Sequence, residues 1–81
     1  MKKIGCQIEN VRWDVDDYIS AYGNYETACK AFGLPHYVLG MDVAVQDDDK
    51  MKDIKEAVIS ALSKKHRFEA IDVEISEIFE R

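Results

Sequence analysis

The chain is poor in the residues that mark several specialised classes of protein. Its 81 residues include one proline, four glycines and two cysteines. No apolar run approaches the roughly 20 residues needed to span a bilayer. The start of the chain, Met1 to Glu9, is basic but lacks the continuous apolar segment of a secretory signal. Without repeats, low-complexity tracts or a long linker, the sequence predicts a single domain, residues 1–81, in the cytoplasm.

Cysteine usage excludes two further classes of site. Cys6 and Cys29 form neither a disulfide framework nor a Cys-x-x-Cys pair, so a redox motif or a zinc site has no support. Both cysteines fall on the apolar faces of their predicted elements. We therefore expect two buried, reduced thiols.

Positive charge is also scarce. The chain has eleven Lys and Arg residues but sixteen Asp and Glu residues, and its formal net charge is −5. This balance argues against direct binding to nucleic-acid phosphates, which depends on clustered Lys and Arg. It permits docking on a basic protein partner, although acidic charge also serves simply to keep a small protein soluble.

The second half of the chain contains two clear periodicities. Apolar residues at helical spacing predict an amphipathic helix: Met51, Ile54, Ala57, Val58, Ala61 and Leu62. Asp47–Asp49 before this helix and Lys64–Arg67 after it complement the helix dipole, and we expect an Asp as the N-cap. Ile71, Val73 and Ile75 then alternate with polar residues, which is typical of a half-buried strand.

The first predicted strand, residues 2–13, changes phase part-way along. Its apolar residues alternate and then shift parity: Ile4, Cys6 and Ile8, followed by Val11 and Trp13. A bulge near Glu9 and Asn10 would keep all five on one side of a sheet. The alternative is that the strand ends at Asn10.

Residues 14–35 predict a helical insert in two pieces. Asp14 is a candidate N-cap for the first piece, and Gly23 breaks the pattern. Asn24 is a candidate N-cap for the second piece, Tyr25 to Phe32, which Gly33 terminates.

A second strand, His36 to Val45, follows the insert. The side chains on one face of this strand are apolar, and those on the other face are small and partly apolar. This pattern favours a central strand or one covered on both sides. The predicted fold class is α+β: a small three-stranded, mainly antiparallel sheet with one long amphipathic helix packed on one face and a helical insert between the first two strands.

Three short motifs resemble a group of small uncharacterised bacterial and prophage proteins. They are Trp-Asp-x-Asp at Trp13–Asp16, Leu34-Pro35, and Leu-Ser-x-x-x-x-Phe from Leu62 to Phe68. The resemblance covers most of the chain except Tyr18–Phe32, which looks like an insertion. It departs at His66-Arg67, where the group has an aromatic residue and a glycine. The resemblance implies no chemistry; it implies a phage or mobile-element accessory protein in a bacterial host cell, and an inhibitor of the anti-CRISPR kind is one such protein.

Two acidic clusters and two aromatic residues are the candidate partner-binding residues. The set is Asp14, Asp16, Asp17, Asp47, Asp48 and Asp49, with Trp13 and Tyr18 as anchors. If the first two strands are antiparallel neighbours, which base rates favour, the clusters lie at opposite ends of the sheet. If the strands are parallel, the clusters meet in one patch. The aromatic residues have two interpretations as well, an exposed interface or the edge of the core.

Catalytic and metal sites are not predicted. The acidic clusters lack the spacing of a calcium loop, and helix capping explains them more simply. His36 and His66 have no Ser or Cys at a recognisable catalytic spacing, and His66 is expected to cap a helix C-terminus. We expect no enzyme activity and no cofactor.

The sequence leaves two function classes open. One is an acidic protein that binds a partner with a basic surface, such as a nucleic-acid-binding complex of host defence, without binding nucleic acid itself. The other is a small structural or regulatory module that self-associates along an exposed strand edge. The expected state is a monomer or a weak homodimer.

Overall fold

The computed structural model describes residues 2–80, so Met1 and Arg81 of the predicted domain lie outside it. The elements are, in chain order, β1 (Lys2–Trp13), α1 (Asp16–Tyr22), α2 (Tyr25–Ala31), β2 (Val38–Val45), α3 (Met51–His66) and β3 (Ala70–Glu80). The strands form one sheet in the order β2-β1-β3, with β1 antiparallel to both neighbours. The predicted α+β class and the three-stranded antiparallel sheet are confirmed.

The central strand β1 contributes to the core along its whole length. Its five apolar residues are all buried: Ile4, Cys6, Ile8, Val11 and Trp13. Ile8 pairs with Ile75 and Asn10 with Glu74, so Glu9 is an extra residue without a partner on β3. This bulge restores the inward direction of the side chains after the change of parity. The prediction of a bulge, rather than a strand ending at Asn10, is confirmed.

Strand β2 contradicts the expectation of a central strand or one covered on both sides, since Asp42 and Ala44 on its outer face are exposed. It lies at the edge of the sheet and begins at Val38 rather than His36. The register to β1 shifts between the pairs Cys6–Met41 and Ile8–Val38, where Gly40 has a φ of 62°. This bulge turns Val38 toward the core and leaves Leu39 68% exposed.

The residues before β2 cover the part of β1 that β2 does not reach. The Tyr25 hydroxyl accepts a hydrogen bond from the Trp13 amide at 2.7 Å and lies 3.5 Å from the Val11 carbonyl. Nδ1 of His36 lies 3.3 Å from the same carbonyl. Side chains thus take the place of a neighbouring strand for backbone groups that would otherwise be buried without partners.

Local signals set the boundaries of α1 and α2. Gly23 has a φ of 95° between the helices, and Gly33 has a φ of 66° after α2, as the sequence predicts for both. The side chain of Asn24 caps α2 by accepting from the Thr27 amide at 2.7 Å. The N-cap of α1 is Val15 without a side-chain bond, so the expectation that Asp14 caps α1 is wrong.

Helix α3 packs across β2 and β3 on one face of the sheet. Val58 and Leu62 are fully buried and Ile54 is half-buried, whereas Met51 is 49% exposed. The helix ends at His66, and Arg67 takes a left-handed conformation with a φ of 60° in place of the glycine that is common there.

Both cysteines are free and buried, as predicted. Among residues 2–80, the helices are too short or too polar to cross a membrane.

Candidate functional site

The two acidic clusters lie at opposite ends of the sheet. Asp14, Asp16 and Asp17 follow the end of β1, and Asp47–Asp49 follow the end of β2. Because β1 and β2 are antiparallel, their carboxyl ends point in opposite directions. The structure therefore does not bring the clusters together into one patch.

The first cluster adjoins the start of β3. The Asp14 amide donates a hydrogen bond to the Glu69 carbonyl at 2.8 Å, which fixes the two segments side by side. Asp14 and Glu69 are exposed, and so are Asp16 and Asp17 in the first turn of α1. Carboxylates in that turn are favoured by the dipole of the helix. Four carboxylates thus share this end of the molecule.

A row of carboxylates continues from Glu69 along β3. Asp72, Glu74 and Glu77 are all exposed and pair across the sheet with residues of β1 that do not face the core. We call these three residues the acidic stripe. Cross-strand partners point to the same side of a sheet, so the stripe lies on the face opposite α3. Five residue steps of a strand give the stripe a length of about 17 Å.

The members of the stripe differ in their surroundings. Asp72 pairs with Arg12, whose guanidinium lies 5.7 Å from the centroid of the Tyr25 ring. Oδ1 of Asp72 accepts from the Val73 amide at 2.9 Å. Glu74 and Glu77 lie opposite the neutral side chains of Asn10 and Gln7. Arg12 and Lys55 line a cavity of about 430 Å³ together with Asp72 and Glu74, so these two cations offset part of the negative potential at that end of the stripe.

Sequence reasoning missed the acidic stripe as a site. The alternation of polar and apolar residues predicts a polar face for β3, but strict alternation would place Ser76 on that face and Glu77 on the other. In the structure the register shifts between Ile75 and Glu77, and Glu77 lies opposite Gln7. The Ser76 hydroxyl donates to the Gln7 carbonyl at 3.2 Å. The irregularity at Ser76 thus adds Glu77 to the exposed face.

The second cluster is part of the turn into α3. The Asp49 side chain accepts from the Gln46 amide at 2.8 Å, and Asp47 and Asp48 are exposed. The N-cap of α3 is Lys50, and its amide donates to the Asp53 side chain at 3.0 Å. The expectation that one of the three aspartates caps this helix is therefore wrong.

Trp13 is placed in the core, so it is not an exposed anchor in this structure. It is fully buried, and its indole Nε1 donates to the Pro35 carbonyl at 2.9 Å. Its ring meets the His66 ring edge-on, with the centroids 5.3 Å apart. Burial, with a smaller contribution from Lys65, lowers the pKa of His66, so the neutral imidazole is favoured rather than a charged helix cap.

Tyr18, the second expected anchor, is on the surface. It is 42% exposed and packs edge-on against Phe32, with the ring centroids 4.8 Å apart. Tyr22 and Phe68 extend this aromatic group. Since Phe68 immediately precedes Glu69, the group lies beside the first acidic cluster. The structure thus brings Tyr18 together with Asp14, Asp16 and Asp17, as a binding surface would require.

A groove lies between the edge strand β2 and the C-terminal half of α3. Its volume is about 600 Å³, and it is lined by Pro35, Tyr37, Val38, Leu39, Gly40, Met41, Asp42, Ala61, Leu62, Lys65 and His66. Tyr37 is 50% exposed, and its hydroxyl accepts from the Gln7 side chain at 3.0 Å.

Within residues 2–80, no group of three or more His, Cys, Asp or Glu side chains is arranged to hold a metal ion.

Comparison with known proteins gives no relative. No protein-family model matches the chain, and neither a curated protein nor a solved structure matches it. The resemblance to small bacterial and prophage proteins stays an expectation from the sequence.

Proposed function

We propose that this protein acts by binding another protein, with a predominantly acidic surface docking on a basic surface of the partner. The acidic surface consists of the acidic stripe together with Glu69, Asp14, Asp16 and Asp17. Aligned carboxylates of this kind speed the encounter with a positively charged partner and select against acidic ones. Tyr18 supplies an adjacent aromatic contact.

The observation that carries the proposal is the position of Glu74 and Glu77. Both are exposed on the sheet face opposite α3, and both lie opposite neutral residues of β1. The hydrogen bond between Asp14 and Glu69 joins this face to the first acidic cluster. Docking would therefore engage one side and one end of the molecule, and Asp47–Asp49 would lie outside the contact.

A nucleic-acid-binding protein is the kind of partner that fits this surface. Such proteins present clustered Lys and Arg to phosphates, and a row of carboxylates offers similar charge. The resemblance to prophage proteins supports a role for the chain as an inhibitor of a host defence complex, of the anti-CRISPR kind. In this proposal the protein competes with nucleic acid for the partner.

Affinity capture from bacterial lysate tests the proposal with a matched pair of variants. Glu74→Gln with Glu77→Gln removes two charges from the acidic surface. Glu26→Gln with Glu56→Gln removes two charges from exposed positions on α2 and α3. Mass spectrometry should identify a basic partner that the wild type and the second variant capture and the first variant loses. Added DNA or RNA should release that partner from the wild type.

The controls are folding and the identity of the captured protein. Circular dichroism should show the same spectrum for all three proteins, since each changed side chain is exposed. Equal capture by both variants, or a partner that added nucleic acid does not displace, would exclude the proposed docking.

A further inference from the structure

The two edges of the sheet differ in how they are protected against pairing. Strand β3 carries four carboxylates, at Asp72, Glu74, Glu77 and Glu80, and charge of one sign discourages a second strand. Strand β2 carries one charged residue, Asp42, among eight. Leu39 within this strand is 68% exposed, and Tyr37 just before it is 50% exposed. The β2 edge is therefore the one suited to accept a strand.

We infer that a second copy of this chain pairs antiparallel with β2 across a twofold axis, giving a continuous six-stranded sheet with both α3 helices on one face. The regular part of β2, from Met41 to Val45, sets the register. With Val43 opposite Val43 of the second copy, Met41 faces Val45 and Asp42 faces Ala44. An axis at Asp42 would oppose two carboxylates, and an axis at Met41 would extend the pairing across the Gly40 bulge.

Charge complementarity identifies a second copy as the occupant. In the register centred on Val43, β2 of the second copy ends with Val45 opposite Met41 of the first, and its turn at residues 46–49 leads toward the α3 face of the sheet next to Gly40. Asp47–Asp49 of the second copy thereby lie beside the groove between β2 and α3, whose lining includes the positively charged Lys65. Lys64 and Arg67 are exposed at the same end of α3. Each copy supplies one acidic turn and one basic helix end, so the contact occurs twice.

Two charge runs that the proposed docking surface does not use take part in this pairing. The Asp47–Asp49 turn and the Lys64–Arg67 helix end belong to different parts of one molecule, but the twofold axis brings them together between two copies. The acidic stripe lies on the opposite face of the sheet from α3, and β3 is the opposite edge from β2. Self-association and partner docking therefore use different surfaces, and each can fail without the other.

A charge-swap experiment tests the pairing. One variant carries Lys64→Glu and Lys65→Glu, and the other carries Asp47→Lys and Asp48→Lys. Sedimentation equilibrium should show a reversible dimer for the wild type and at least about tenfold weaker self-association for each variant, because each opposes like charges. An equimolar mixture of the two variants should recover the dimer mass, since both contacts are then between opposite charges.

A variant with Arg12→Glu and Lys30→Glu is the control. It changes the net charge by −4, as the Lys64→Glu, Lys65→Glu variant does, at exposed positions on β1 and α2 away from β2, and it should keep the wild-type dimerisation constant. Circular dichroism checks that every variant is folded. A wild-type chain that stays monomeric up to millimolar concentration leaves the edge free or covered by a different protein, and overturns the inference. Charge-swap variants that dimerise like the control, or a mixture that does not recover the dimer, also overturn it.

Discussion

The backbone amide of Asp14 donates a hydrogen bond to the carbonyl oxygen of Glu69 at 2.8 Å. This single contact joins the end of β1 to the start of β3 and places two acidic segments side by side. The segments are 55 positions apart in the chain, so their proximity comes from the sheet. The proposed docking surface depends on this juxtaposition.

Leu62→Ala should destabilise the domain by about 2–5 kcal/mol, because the substitution leaves a cavity between α3 and the sheet. Leu62 is 1% exposed. The control, Ile71→Ala, changes a residue that is 47% exposed and should stay within about 0.5 kcal/mol of wild type. Urea unfolding followed by circular dichroism measures both. Similar losses of unfolding free energy for the two variants would show that Leu62 does not pack between α3 and the sheet.

Tyr25→Phe should cost about 1–3 kcal/mol, because the Trp13 amide loses its acceptor in a buried position. Tyr22→Phe is the matched control, since Tyr22 is 41% exposed, and it should stay within about 0.5 kcal/mol of wild type. The same unfolding measurement applies. Equal stability of the two variants would mean that water or another group satisfies the Trp13 amide.

Both cysteines should resist thiol reagents until the protein unfolds. Cys6 and Cys29 are fully buried, and burial, assisted by Asp42, raises the pKa of the Cys6 thiol and so lowers its thiolate fraction. Mass spectrometry after labelling should find an unmodified chain in buffer and two labels in denaturant. Rapid native labelling of Cys29 would show that α2 opens readily from the core.

His66 should make the folded state less stable as the pH falls. Its pKa is lowered by burial and by Lys65 from the usual 6.5, so the unfolded chain binds the proton more readily. The stabilising contribution of neutral His66 is complete above the pKa that His66 has in the unfolded chain. It is lost as the pH decreases through 6.5 toward the lower pKa of His66 in the folded state. His66→Gln should show a smaller drop in urea midpoint between about pH 7.5 and about pH 5.5. Parallel behaviour of the two proteins would place the pH dependence elsewhere.

Local signals predicted the parts of the fold that local chemistry determines. The bulge at Glu9 follows from five apolar residues that one side of a strand can hold only with an extra residue. Asn24 and Gly33 have the chemistry of helix ends, and they occupy them. The bulge at Gly40 was not predicted, because apolar residues occupy every second position from Tyr37 to Val45 without a break. The signal that could have indicated the bulge is a glycine within a strand.

The candidate site was less predictable because it depends on distant contacts. Trp13 follows four apolar positions of β1, and its burial is decided by Tyr25, Pro35 and His66 from three other segments. The exposed position of Glu77 depends on the shift of register next to Ser76. For the aromatic residues the sequence left an exposed interface and the edge of the core both open, and the structure buries Trp13 and exposes Tyr18 beside the first acidic cluster.

Partner affinity, measured for the two double variants at two salt concentrations, tests the docking proposal most directly. With the captured partner immobilised, Glu74→Gln with Glu77→Gln should raise Kd at least about tenfold in low salt, and added salt should reduce the difference. Glu26→Gln with Glu56→Gln should change Kd less than about twofold, because those residues lie outside the acidic surface. Equal Kd values for the two variants, or a stripe variant as tight as wild type, would contradict the account.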